Sequence, residues 1–150
     1  FMKKVISVLL LLFLSGCGYS AIYKNDKPNN LILIINSMQG EKEINNLIKN
    51  QLELYSSKNS SKKFNINLNS DFIKTIISKN ANGTIANYEL YLKVEFEIEF
   101  EGKEELFSFQ ERFKIKNISD SFEQKNYENI IKNNFASSIR KKLILKLLNM

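Results

Sequence analysis

The sequence has no histidine, no tryptophan, one cysteine and one proline among its 150 residues. Without histidine it lacks the usual general base near neutral pH and the commonest metal ligand. A lone Cys17 leaves no partner for an internal disulfide and no multi-cysteine metal site. The five glycines form no phosphate-cradling loop, and there is no serine–histidine pair. These absences exclude the familiar catalytic constellations, so a binding protein is expected rather than an enzyme, with no metal and no diffusible cofactor. What remains is globular: apolar residues make up 43% of the chain, enough for one domain with a modest core.

The first sixteen residues read as an address. Phe1 precedes Met2 and reads as a gene-start artefact. Lys3 and Lys4 form a positive start, and residues 5–14 are an apolar run too short to span a bilayer of about 30 Å as a helix. Leu14-Ser15-Gly16-Cys17 follows at once. An apolar residue, two small residues and a cysteine look like a bacterial lipobox, with cleavage between Gly16 and Cys17. The small residues let the backbone enter a peptidase, and the Cys17 thiol takes a diacylglycerol. The alternative is an ordinary secretory signal with a chance cysteine. Several acyl chains, at about 0.8 kcal/mol per buried CH2, hold a protein on a membrane. Gly18 is not aspartate, which by similarity to enterobacterial sorting directs a lipoprotein to the outer membrane. The expected division is a signal peptide over residues 1–16, a lipidated tether over 17–30 and one domain over 31–150. Removing Lys3 and Lys4 from the 22 basic residues leaves 20 against 16 acidic ones, a net charge of +4. That is mildly basic and not the charge density of a nucleic-acid binder.

Residues 88–100 organise the domain. Tyr88, Leu90, Leu92, Val94, Phe96, Ile98 and Phe100 fall on one parity; Glu89, Tyr91, Lys93, Glu95, Glu97 and Glu99 fall on the other. Side chains alternate faces along a strand, so this pattern predicts one long strand with an apolar face and a charged face. The alternation also argues that the glutamates line a solvated strand face rather than forming catalytic acid pairs.

Residues 31–35 read as a short strand buried on both faces, followed by a turn over 36–40. Ile44, Leu47, Ile48, Leu52 and Tyr55 share one side of a helix over 41–55. A polar loop over 56–63 leads to a strand starting with Phe64, Ile66 and Leu68. Alternation fails after that, and a bulge is expected near Ser70 and Asp71. Asn82-Gly83 marks the next turn, and residues 101–104 the one after the long strand. In residues 106–116, Phe107, Phe109, Phe113 and Ile115 share a face. Glu111 falls on that same parity, at a bulge or a partnered edge position. Ser119, Asp120 or Ser121 is placed to cap a final helix running to Leu148, in which Tyr127, Ile131, Phe135, Ile139, Leu143 and Leu147 recur every four residues. The expected fold is α+β, a four-stranded, mostly antiparallel sheet with two helices on one face in the order β-α-β-β-β-α.

That order puts the tether, the loop over 56–63, the hairpin over 101–104 and the C-terminal residues at one end of the sheet. Lys58, Lys62, Lys63, Arg140, Lys141 and Lys142 fall there, as an ordinary solvated helix end. Lys79 and Lys125 fall at the opposite end, where an anionic ligand could meet them; the alternative is that they are ordinary loop lysines.

Taken together the chain resembles the LPS-assembly lipoprotein LptE family, as an alphaproteobacterial-like member. Cys17-Gly18-Tyr19-Ser20-Ala21-Ile22-Tyr23 is similar to that family's Cys-Gly-aromatic opening, with Ala21 where many members have proline. Asn82-Gly83-Thr84-Ile85-Ala86-Asn87-Tyr88 looks like its Asn-Gly turn leading into Ala-x-Tyr. Phe135-Ala136-Ser137-Ser138-Ile139 looks like its C-terminal helix. Ala81 stands where some members carry a basic residue, with Lys79 two places earlier. The resemblance implies an outer-membrane lipoprotein on the periplasmic side that plugs and helps assemble the β-barrel LptD and binds LPS for delivery to the outer leaflet. Lys79 and Lys125 are the residues offered for LPS. The alternative is an auxiliary outer-membrane lipoprotein of a lipid-trafficking ABC transporter.

Overall fold

The computed structural model describes residues 31–150. The apolar leader, Gly16, Cys17 and the tether to Asn30 lie outside the described residues. The elements are β1 (Leu31–Gly40), α1 (Lys42–Glu53), β2 (Lys62–Lys79), β3 (Ile85–Phe100), β4 (Lys103–Lys116) and α2 (Ser121–Leu148). They form one sheet in the order β1-β2-β3-β4. Strand β1 runs parallel to β2, and the other neighbours are antiparallel. This is the expected α+β architecture.

The long strand carries the core as its alternation demands. Leu90, Leu92, Val94, Phe96 and Ile98 are fully buried, while Glu97 and Glu99 on the other parity are exposed. Opposite them, β2 contributes Phe64, Ile66 and Leu68. The helices close the same face. Ile44, Ile48 and Leu52 come from α1; Ile131, Phe135, Ala136, Ile139, Leu143, Ile144 and Leu147 come from α2. Asp120 caps α2, its Oδ1 accepting from the amides of Phe122 and Glu123 at 2.9 Å each. A repeat of four residues drifts about 40° per step on a helix of 3.6 residues per turn. Helix α2 therefore turns different sides to its two neighbours. Ser138 and Lys142 reach β4, and Lys132 and Arg140 reach α1.

Glu111 is the partnered edge position. It lies on the core face of the edge strand β4, accepting from Ser138 Oγ at 2.5 Å and from Lys142 Nζ at 2.6 Å. Lys142 is thus drawn out of the expected cluster of basic residues. Arg140 leaves it too, bonding Gln51 at 2.9 Å and stacking 4.5 Å over the Tyr55 ring.

Three expectations are corrected. Strand β1 is not buried on both faces: Leu31 and Leu33 are buried, but Ile32 and Ile34 only partly, because β1 is an edge strand with helices on one side. Residues 36–40 are not a turn; β1 continues to Gly40 through a register shift between Ile35 and Ser37. Strand β2 has no bulge at Ser70. Its pairing with β3 is unbroken from Asn65 to Ile76, and the shifts fall between Ile76 and Lys79. Ser70 is polar on the core face because the start of α1 needs it. Gly40 crosses that point with φ +87°, where a Cβ would stand 1.8 Å from the Ser70 carbonyl oxygen. Only glycine allows that approach.

Candidate functional site

The register places β2 and β3 well beyond the end of β1, which stops opposite Ser70. The projecting hairpin and the link from β4 to α2 form the end of the domain away from Leu31. Its tip is held by its own side chains. Asn80 Nδ2 donates to the Thr84 hydroxyl oxygen at 3.0 Å, and Asn82 Oδ1 accepts from the same hydroxyl at 2.7 Å. Asn87 Nδ2 donates to Ser78 Oγ at 2.7 Å across the irregular pairs. Below the tip, Lys74 Nζ lies 2.5 Å from Glu128 of α2 and 4.0 Å over the Tyr88 ring. Gln124 holds the link, accepting from the Ile118 amide at 2.7 Å and donating to Glu128 at 2.7 Å. The hairpin and the first turns of α2 are thereby bound as one unit.

Lys79 is the last residue of β2 and Lys125 lies in the second turn of α2, so both stand at this end, as the order of elements implies. Both are exposed, and neither makes an ion pair among the described residues. The structure adds apolar residues that the sequence reading did not single out. Ile76, Ile77 and Phe122 are 47%, 41% and 72% exposed at this same end. This end therefore carries exposed apolar side chains beside cations that make no ion pair among the described residues. The signal was present in the sequence: alternation is lost after Phe72 because apolar residues occupy both faces of a projecting hairpin.

The sheet face opposite the helices is mostly polar, interrupted by exposed Ile73 and Leu106. Toward Leu31 it presents Asn65, Asn67 and Asn69 opposite Glu99, Glu97 and Glu95. Asn65 donates to Glu99 at 3.2 Å, and Ser37 donates to Asn67 at 2.9 Å. An open groove of about 430 Å³ runs here, lined by Asn36, Asn65, Asn67, Glu97, Glu99, Glu104 and Leu106 among others. Toward the hairpin the face turns to mixed charge. Lys93 bonds Glu95 at 2.7 Å, and that bond and charge raise the lysine's pKa above its ordinary value. Arg112 lies 4.5 Å over the Tyr91 ring and 3.4 Å from Glu89. These are the contacts of a solvated strand face. Among the described residues no group of three acidic side chains is arranged to hold a metal ion, and no helix is long and apolar enough to cross a membrane.

No family model and no curated protein matches the sequence. Solved structures do match the fold. Rare lipoprotein B of Shewanella oneidensis aligns with a TM-score of 0.61 at 18% identity, over 81% of this chain and 95% of that one. A protein of Caulobacter crescentus aligns at 0.52 and 12% identity, over 75% and 86%. Lipoprotein B of Nitrosomonas europaea aligns at 0.50 and 10%, over 81% and 86%. At these identities the likeness concerns the fold. The domain shares its architecture with bacterial proteins called lipoproteins.

Proposed function

We propose that this chain is an LptE-type lipoprotein. Acylated at Cys17 after cleavage behind Gly16, it is held on the periplasmic side of the outer membrane. It plugs and helps assemble the β-barrel LptD, and it binds LPS on its way to the outer leaflet. It acts by binding and not by catalysis. The observation that carries this reading is a fold shared with bacterial proteins called lipoproteins in a chain whose leader ends in a lipobox.

Two surfaces support it. A mostly polar sheet face along the whole of β3 suits a protein enclosed by a water-filled, polar barrel lumen. The end remote from Leu31 combines Lys79 and Lys125 with exposed Ile76, Ile77 and Phe122, matching the phosphates and acyl chains of lipid A. The test is LPS binding by the wild type and by Lys79→Glu with Lys125→Glu, at low and high salt. Exposed charges are screened within about 10 Å at 0.1 M salt, so binding is expected to weaken with salt and to fall in the double variant. Unchanged binding would remove Lys79 and Lys125 from the contact.

A further inference from the structure

The end of the domain where the described chain begins has its own surface, distinct from the remote end discussed above. Leu31 starts β1 beside the end of α1: the Ser57 amide donates to the Leu31 carbonyl at 2.7 Å, and Ser56 Oγ accepts from the Leu33 amide at 3.0 Å. Helix α2 finishes at this end too, since Lys146, Asn149 and Met150 line a cleft with Phe100 and Glu101 of the β3–β4 turn.

Here both helices leave leucines in solvent. Leu54, just past α1, is 74% exposed; Leu145 and Leu148, on the outward side of the last turns of α2, are 63% and 40% exposed. None of the three belongs to the core. Basic residues accompany them, and the one acid beside Leu54, Glu53, is paired with Lys49 at 3.7 Å. No acidic residue stands between Glu53 and Asp71, and none follows Glu128. Lys58 and Lys141 are exposed and without ion pairs among the described residues, whereas Lys146 lines the cleft that Glu101 and Glu105 share. On the β3–β4 side of the same end Glu101, Glu104 and Glu105 gather, so the basic character belongs to the helical side alone.

We propose that the helical side of this end, with Leu54, Leu145 and Leu148 as apolar wedges accompanied by Lys58 and Lys141, rests on an anionic phospholipid surface. Charge complementarity selects the occupant: exposed leucines set among uncompensated lysines match acyl chains beneath anionic headgroups. Chain length agrees. Fourteen residue steps separate Cys17 from Leu31, a reach of at most about 50 Å at 3.6 Å each. An anchor at Cys17 therefore leaves this end within reach of the bilayer. The proposal rests on the anchored reading only for that orientation.

The test needs no barrel and no acyl chain, so it fails or succeeds independently of the proposed function. The chain from residue 17 onward, carrying Cys17→Ser, is floated with vesicles of phosphatidylglycerol and phosphatidylethanolamine, and with vesicles of phosphatidylcholine alone. Binding is expected to the anionic vesicles and to be much weaker to the neutral ones. A lysine near an anionic surface contributes about five-fold in partitioning, so Lys58→Gln with Lys141→Gln is expected to lower it about twenty-five-fold. Leu54→Ser, Leu145→Ser and Leu148→Ser together are expected to lower it at least about ten-fold. Lys79→Gln with Lys125→Gln, at the remote end, is expected to lower it less than Lys58→Gln with Lys141→Gln does. Because all these side chains are exposed, circular dichroism should show each variant folded. No flotation of the parent chain, equal flotation on neutral vesicles, or a loss confined to the Lys79 and Lys125 variant would overturn the proposal.

Discussion

Ser70 Oγ donates a 2.7 Å hydrogen bond to Asn45 Oδ1, and both residues are buried. Asn45 Nδ2 in turn donates to the Gln39 carbonyl at 2.8 Å. Three elements meet in these two bonds: the end of β1, the first turn of α1 and the middle of β2. No side chain caps α1, and the Glu41 amide instead donates to the Ser70 carbonyl at 3.1 Å. The crossover from β1 to β2 is fixed by this polar node as much as by the core beneath it.

Removing either partner leaves a buried polar group without its bond. Ser70→Ala and Asn45→Ala are each expected to cost about 1–3 kcal/mol in chemical denaturation. The double variant should lose less than the two together, since one interaction is removed twice. Additive losses would show that the two residues act separately.

The repeating parts of this fold were legible in the sequence because a single period governed them. Strand β3 obeys alternation from Leu90 to Ile98, and α2 obeys its recurring stripe from Ile131 to Leu147. What escaped was long-range. Ser70 reads as an interruption until Asn45, 25 residues earlier in sequence, is placed beside it. Residues 36–40 read as a turn because Asn, Ser and Gly are turn formers, yet β2 pairs with them and draws them into β1. The positions of Lys79 and Lys125 followed from element order alone. Phe122 and Ile76 did not stand out, since an exposed apolar residue and a core residue look the same in a sequence.

Phe96 of β3 and Phe135 of α2 belong to one core, with Phe96 fully buried and Phe135 5% exposed. Phe96 also lies 6.1 Å from the Phe109 ring. Truncating either to alanine is expected to cost about 3–5 kcal/mol, the range for a buried phenylalanine. A loss under about 1 kcal/mol for Phe96→Ala would mean that the core repacks around the cavity.

Cys17 is the residue on which the proposed anchoring turns. Cys17→Ala is expected to abolish acyl labelling and to leave the membrane pellet depleted of the protein after fractionation. Unchanged labelling would contradict lipidation at Cys17. Retained pelleting without labelling would instead measure the phospholipid-binding surface proposed for Leu54, Leu145 and Leu148.

The most direct measurement is a pull-down of the tagged, acylated chain from detergent-solubilised membranes, with its partners identified by mass spectrometry. Recovery of an outer-membrane β-barrel in stoichiometric amount is the expected result, and depletion of the chain should lower the amount of correctly assembled barrel. Recovery of an inner-membrane transporter with no barrel would contradict the role as a barrel plug.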